Sequence, residues 1–241
     1  PELAEAVAAD GGVAALVQNL GLERGDKRAI LSTQTLGYIA DFRASFACAC
    51  VGVDGGRCLV DAMECAVDGD ASIAAAWAMG CAARHGKESA GPLARAGAMK
   101  ALLGAYTNPV VTDALRERSK ASLKSLIKNC GDLSLVEPLV SDVTPPEILR
   151  HVLAEFGAKL GADVAAKRMF VTSGGLMRLQ GVLKAHTKGV EDAAKAVETA
   201  KTAGELPPPP HEALLDDRAV KDAGAINKEF PPEVVSYYLY C

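Results

Sequence analysis

Apolar residues in this chain fall at helical rather than alternating intervals. Leu149, Val152, Leu153, Phe156 and Leu160 occupy i, i+3, i+4 and i+7 positions, and Ile73, Ala76, Trp77, Gly80 and Cys81 follow the same rule. Each set predicts one helix with a core-facing stripe, and Trp77 is assigned to the core with its neighbours. Pro145 and Pro146 stand just before the first of these stripes, where the first-turn amides have no intrahelical acceptor and their absence costs nothing. The opening PELAEAVAADGG predicts a short helix begun by Pro1 and closed by Gly11 and Gly12. From residue 187 the stretch TKGVEDAAKAVETAKTAG is helix-prone and mostly polar, which predicts a solvated helix or flexible arm. Pro207 to Pro210 then predict a short extended spacer.

Two landmarks recur along the pattern. Gly11, Gly55, Gly97 and Gly174 each open a turn followed by an apolar helical run, at successive offsets of 44, 42 and 77 residues. Separately, LGYIA at residues 36–40 returns as MGCAA at 79–83 and FGAKL at 156–160, so that Gly37, Gly80 and Gly157 lie 43 and 77 apart. Two different motifs with one spacing indicate a repeat, and its period matches the roughly 40 to 47 residues of armadillo or HEAT units. The wider gap leaves room for one shortened unit, for which CGDLSLVEPLV at 130–140 supplies a turn, with Gly131 as a weaker landmark, and an apolar run. The predicted fold class is therefore all-α, an armadillo/HEAT-like right-handed superhelical solenoid. Residues 1–186 form the array of four to five units, 187–210 the polar helix or arm with its proline spacer, and 211–241 a C-terminal tail. An array of this kind begins on a polar cap, whereas this chain begins on an alanine-rich helix, so earlier units are expected to precede it.

Composition supports the helical reading. Aromatic residues make up only 5% of the chain, too few for a sheet built on aromatic and branched side chains. A net charge of −4 argues against binding nucleic acid through bulk charge. No apolar run approaches the roughly 20 residues that span a bilayer, and an intracellular location without membrane attachment is expected. The seven cysteines are odd in number and sit mostly in apolar surroundings, which suits a reducing compartment. Cys48 and Cys50 are too close for zinc-ligand spacing, so no metal and no cofactor is expected.

The chemistry of an enzyme is not legible. The chain has no phosphate-cradling glycine loop, and HEALL, beginning at His211, lacks the second histidine of a metalloprotease helix. The four histidines have no nucleophile and carboxylate arranged around them in sequence. The strongest local signal is basic: Arg116, Lys120, Lys124 and Lys128 repeat at i+4 along one predicted helix whose opposite face carries Leu123, Leu126, Ile127 and Cys130. Like charges at that spacing repel by a few tenths of a kcal/mol per pair, and an acidic partner would relieve the repulsion. Tyr237 and Tyr238 in the tail form a second candidate contact.

LVEPLVSDVTPPEILRHVLAEFGAKLGADVAAKRMFVTSGGLMRLQ at 135–180 resembles the distal repeats of a known family, the armadillo-repeat proteins of the ciliary central pair. FVTSGG is its most distinctive part. PELAEAVAADGGVAAL, AAAWAMGCAARH, KSLIKNC and FPPEVVSYY are similar to the same family in chain order, whereas residues 41–68 are looser and about 187–220 resemble an insertion. The resemblance implies a non-catalytic scaffold in the cytoskeleton of the cilium or flagellum axoneme. It further implies contact with tubulin or a central-pair microtubule, with other central-apparatus proteins and with further copies of itself. The alternative is a general armadillo adaptor in the cytoplasm. Cargo-carrying armadillo proteins place an asparagine four residues after a repeated tryptophan, and here Cys81 follows Trp77 while the equivalent pairs are Gln34 with Tyr38 and Ala154 with Ala158.

Overall fold

The computed structural model describes residues 5–7, 10–22, 27–52, 54–65, 69–203 and 214–240. The expected helix start at Pro1, the proline spacer 207–210 and His211 lie outside them. The described residues are helical, with no strand among them. They fall into two compact units, Pro1–Leu135 and Val136–Cys241.

The first unit is built from α1 (Gly12–Leu22), α2 (Lys27–Phe42), α3 (Ala44–Val51), α4 (Gly55–Cys65), α5 (Gly69–Ala83), α6 (Lys87–Arg95), α7 (Ala98–Thr107) and α8 (Asp113–Asn129), with α9 (Leu133–Val136) at its end. The glycine landmarks place a turn before α1, α4 and α7, and Gly97 holds φ +95° in the left-handed region that a side chain resists. These three helices pack in sequence, α1 on α4 and α4 on α7. The longer α2, α5 and α8 form a second row, α2 on α5 and α5 on α8, while short α3 and α6 pack against both rows. Each repeat is thus a short, a middle and a long helix, the three-helix armadillo arrangement. Thr112 closes the start of α8 by accepting from the Leu115 amide at 3.3 Å.

The second landmark marks where the long helices meet. A Cβ at Gly37 would stand 2.7 Å from Cε3 of Trp77 and overlap the same indole ring. At Gly80 it would overlap the Ser122 hydroxyl and stand 3.1 Å from its Cβ, and that hydroxyl donates to the Ala76 carbonyl at 2.6 Å. Ser122 occupies in α8 the register position held by Gly37 and Gly80, so a small side chain stands where the landmark glycine would. Helix α5, between two such joints, differs from its predicted one-sided form. Ala74, Ala75, Ala78, Met79 and Ala82 are buried along with Ala76 and Cys81, whereas Ile73, Trp77 and Gly80 are only partly covered. Packing from several sides leaves α5 little polar face, and the edge that remains is the one carrying the tryptophan assigned to the core.

The second unit contains a 3₁₀ turn (Glu137–Leu139), α10 (Pro146–Lys159), a second 3₁₀ turn (Leu160–Ala162), α11 (Val164–Thr172), α12 (Gly175–Ala203), α13 (Asp217–Lys228) and α14 (Pro232–Tyr240). Here the predicted stripe holds: Leu149, Val152, Leu153, Phe156 and Leu160 are fully buried. Phe156, Phe170 and Phe230 join α10, α11 and the turn before α14, with ring centroids 4.8 and 6.1 Å apart. The FVTSGG motif has a physical reading. Phe170 is core, Gly174 turns the chain at φ +84°, and a Cβ on Gly175 would stand 2.5 Å from the Phe170 ring and 2.8 Å from Glu137 Oε1. Glu137, only 3% exposed, is paired with Arg178 of α12. Asp163 and Asp216 cap α11 and α13, accepting from the Ala165, Ala166 and Ala219 amides at 2.7 to 3.0 Å.

Helix α12 runs through residue 187 without a break, so the expected boundary between array and polar arm is a change of surface composition inside one helix. Residues 187–199 are almost entirely exposed or partly exposed. The tail helix α14 packs against α12.

Gly80→Ala should lower stability by about 1–3 kcal/mol, overpacking at Ser122 outweighing the propensity gained. Gly104→Ala, at a helical position where a Cβ meets nothing within 4 Å, should raise it by about 0.5–1 kcal/mol. Denaturant unfolding of the two variants measures both signs.

Candidate protein-binding face

One edge of the α2–α5–α8 row is open. Ile30, Gln34 and Tyr38 of α2, Asp70, Ile73 and Trp77 of α5 and Arg118 of α8 line a cleft of about 450 Å³. A smaller recess of about 140 Å³, lined by Trp77, Cys81, Arg84, Arg118 and Ser125, adjoins it through Trp77 and Arg118. The packing that builds the joint also shapes this edge. Trp77 lies over Gly37, which leaves one side of the indole to meet Tyr38 edge to face, with centroids 4.8 Å apart and planes at 68°. Tyr38 itself is 70% exposed. Arg84 reaches back to pair with Asp41 and approaches Cys81 Sγ at 3.9 Å, while His85 Nε2 lies 3.2 Å from the Asp41 carbonyl. Arg118 stands exposed at the far wall.

This arrangement is a shallow, open trough with an aromatic edge and guanidinium groups, unlike the enclosed cavities that take small molecules. Burial pushes the Cys81 thiol up to about 11, with the Asp41 charge adding to the rise and Arg84 and Arg118 opposing it; burial pushes Cys50 up to about 12. Neither thiol is an activated nucleophile. Cys48, Cys50, Cys58, Cys81 and Cys130 form no disulfides. Among the described residues no group of three His, Cys, Asp or Glu side chains is placed to hold a metal ion, and no helix is long and apolar enough to cross a membrane.

The basic stripe lies on α8 opposite Leu123, Leu126, Ile127 and Cys130, which are buried as expected. Its members have different surroundings. Arg116 pairs with Asp113 at 2.8 Å and donates to the Asn108 carbonyl at 3.3 Å. Lys120 Nζ lies over the Tyr106 ring at 5.8 Å from its centroid. Lys124 is partly covered and Lys128 exposed. Tyr237, 65% exposed, and the less exposed Tyr238 stack edge to face at 5.1 Å on α14. Neither Tyr38 nor Arg118 was assigned to a site from sequence, although Tyr38 was read as the position paired with Gln34 and Arg118 lies beside the basic stripe. Tyr38 was legible by register, since it follows Gly37 by one residue as Cys81 follows Gly80, but nothing in sequence said which side of α2 stays open.

Fold and face together define an all-α protein of armadillo-like repeats with one open aromatic edge. The family resemblance drawn from sequence is borne out over part of the chain: 109 residues, 45% of it, are 39% identical to mouse sperm-associated antigen 6 and 38% identical to the human protein of that name. That stretch spans 21% of each relative's length. No family model matches the chain. Among solved structures, an engineered protein superposes on 95% of the chain and 60% of its own length with a TM-score of 0.51 at 19% identity, a likeness of fold alone. A designed armadillo repeat protein covers 94% of the chain and 86% of its own length with a TM-score of 0.48 at 15% identity.

At pH 8 the thiolate fraction of Cys81 should be about a hundredfold below that of an unperturbed thiol, given the shift from 9.0 to about 11. Timed alkylation with peptide mapping should therefore label the half-buried Cys48 and Cys58 well before Cys81 and Cys50. The raised values also set a sign for stability: the contribution of the buried neutral thiols is fully present below pH 9 and is lost as pH rises through about 11 to 12.

Proposed function

We propose that this chain is a non-catalytic armadillo-repeat scaffold of the motile-cilium central apparatus, holding a central-pair microtubule and neighbouring proteins so that the axoneme stays ordered during beating. The observation that carries the reading is the 109-residue match to sperm-associated antigen 6. The open α2–α5–α8 edge supports it by offering a continuous surface in place of a reaction pocket. The tubulin surface is taken to be met by the α8 stripe, with Lys128 as its exposed end and Arg116, Lys120 and Lys124 beside it, and neighbouring proteins by Tyr237, Tyr238 and the Tyr38–Trp77 edge.

A second reading, a general adaptor in the cytoplasm, draws on that same aromatic edge, because Tyr38 and Trp77 would hold a peptide without any microtubule. Localisation separates the two. A tagged copy in a ciliated cell should draw a line along the axoneme, whereas diffuse or nuclear signal favours the adaptor. In vitro, Lys128→Glu, and Arg116→Glu with Lys120→Glu and Lys124→Glu, should weaken co-pelleting with microtubules by about tenfold, in a salt-dependent manner. Because Arg116 and Lys120 also serve the fold, the triple variant counts only if its thermal melt is unchanged. Undiminished pelleting of the Lys128→Glu protein would remove the stripe from the proposal.

A further inference from the structure

The open face of α5 carries its charges at its two ends. Asp70, Ile73, Trp77, Cys81 and Arg84 follow one another at intervals of three or four residues, which sets them in one row along the helix. Asp70, Ile73 and Trp77 line the larger cleft, and Trp77, Cys81 and Arg84 line the recess that continues it. The row therefore runs from a carboxylate, through an apolar and aromatic middle, to a guanidinium. At 1.5 Å per residue its ends stand roughly 21 Å apart, about the reach of six residues of extended chain.

Helix α8 strengthens the basic end. Arg118 borders both cavities, and Ser125 brings a half-buried side chain to the wall of the recess. Arg84 shares its charge with Asp41, whereas exposed Arg118 enters no ion pair among the described residues. Asp41, Arg84 and Arg118 together leave one positive charge at this end. A recess of about 140 Å³ has room for the head of one side chain and not for a run of backbone, and one carboxylate balances one positive charge. The cleft of about 450 Å³ beside it takes apolar side chains against Ile73 and Trp77.

We propose that this trough binds an extended segment of a partner protein with a glutamate or aspartate at one end, apolar side chains in the middle and a cation at the other end. The carboxylate enters the recess against Arg118 and Arg84, and the cation lies at Asp70. Affinity comes from the apolar middle, while the charged ends fix which way round the segment sits. The inference rests on the reading of this edge as a surface for neighbouring proteins and adds the chemistry of the segment it selects.

Trp77 is the chain's single tryptophan and borders both cavities, so its fluorescence reports occupancy. The probe is a hexapeptide with blocked ends, composed in order of lysine, serine, leucine, leucine, serine and glutamate, titrated into the purified chain at low salt. It should shift the Trp77 emission and bind about tenfold tighter than the same peptide with lysine in place of glutamate. Arg118→Glu, at an exposed position, should invert that preference without moving the melting temperature. Arg118→Gln repeats the test should the first variant fold poorly, and should erase the preference without inverting it. Equal binding of the two peptides, a preference that survives either folded variant, or a phosphoserine peptide that binds tenfold tighter than the glutamate one would overturn the proposal and leave the edge as a binding surface. No emission shift with any of these peptides would overturn it and also remove this edge from the proposed function, whereas the localisation and co-pelleting tests are independent of both.

Discussion

Long helices in the first unit approach so closely at Gly37 and Gly80 that a single methyl group would collide with the neighbour. That distance sets most other features of the unit. It needs small residues on α5, where Ala74, Ala75, Ala78 and Ala82 are buried, and it lets backbones come near enough for Ser122 to donate directly to the Ala76 carbonyl. An alanine-rich helix loses little side-chain entropy on packing and buries little area per residue, so the close fit itself must supply the stabilising contacts. It also explains the open edge. A tryptophan lying across a glycine is fixed by the joint on one side and left bare on the other, which presents an aromatic surface already ordered before any partner arrives.

The second unit reaches the same architecture by another route. The approach at Gly157 is looser, and the space between α10, α11 and the α13–α14 turn is filled by three phenylalanines. Its tight contact has moved to Gly175, between the Phe170 ring and Glu137. The carboxylate of Glu137 has almost no access to water and keeps its charge partner in Arg178, so the turn before α12 is held by an ion pair as well as by packing. This accounts for a glycine doublet where one glycine would make the turn: Gly174 provides the backbone conformation and Gly175 the space.

How much was legible in sequence followed from how each helix is packed. The α10 stripe could be read because one face meets the core and the other does not. In α5 several faces are covered, so spacing could not tell Trp77 on the open edge from the alanines beside it. The repeat period survived in glycine because close approach tolerates so few residues, but it vanished in α8, where Ser122 is small enough to fill the same place. The polar stretch expected from residue 187 continues the helix that starts at Gly175. Helix continuity is a property of the backbone and its propensities, and burial can stop midway along a helix without ending it.

The surroundings of the basic stripe show what its charges would give up to meet a partner. Repulsion along α8 is relieved locally, by Asp113 and a carbonyl for Arg116 and by a tyrosine ring for Lys120, before any partner is involved. A charge that has already found such neighbours must lose them to serve an interface, and exposed pairs return only about 0.2–1 kcal/mol. Apolar groups on a rigid helix carry no such exchange. Leu31, Tyr38 and Phe42 gain from leaving water whatever covers them, and their helix is held by its contacts with α5. A partner that covered them would therefore gain more from these three side chains than from the cations, whose charges would set orientation and approach.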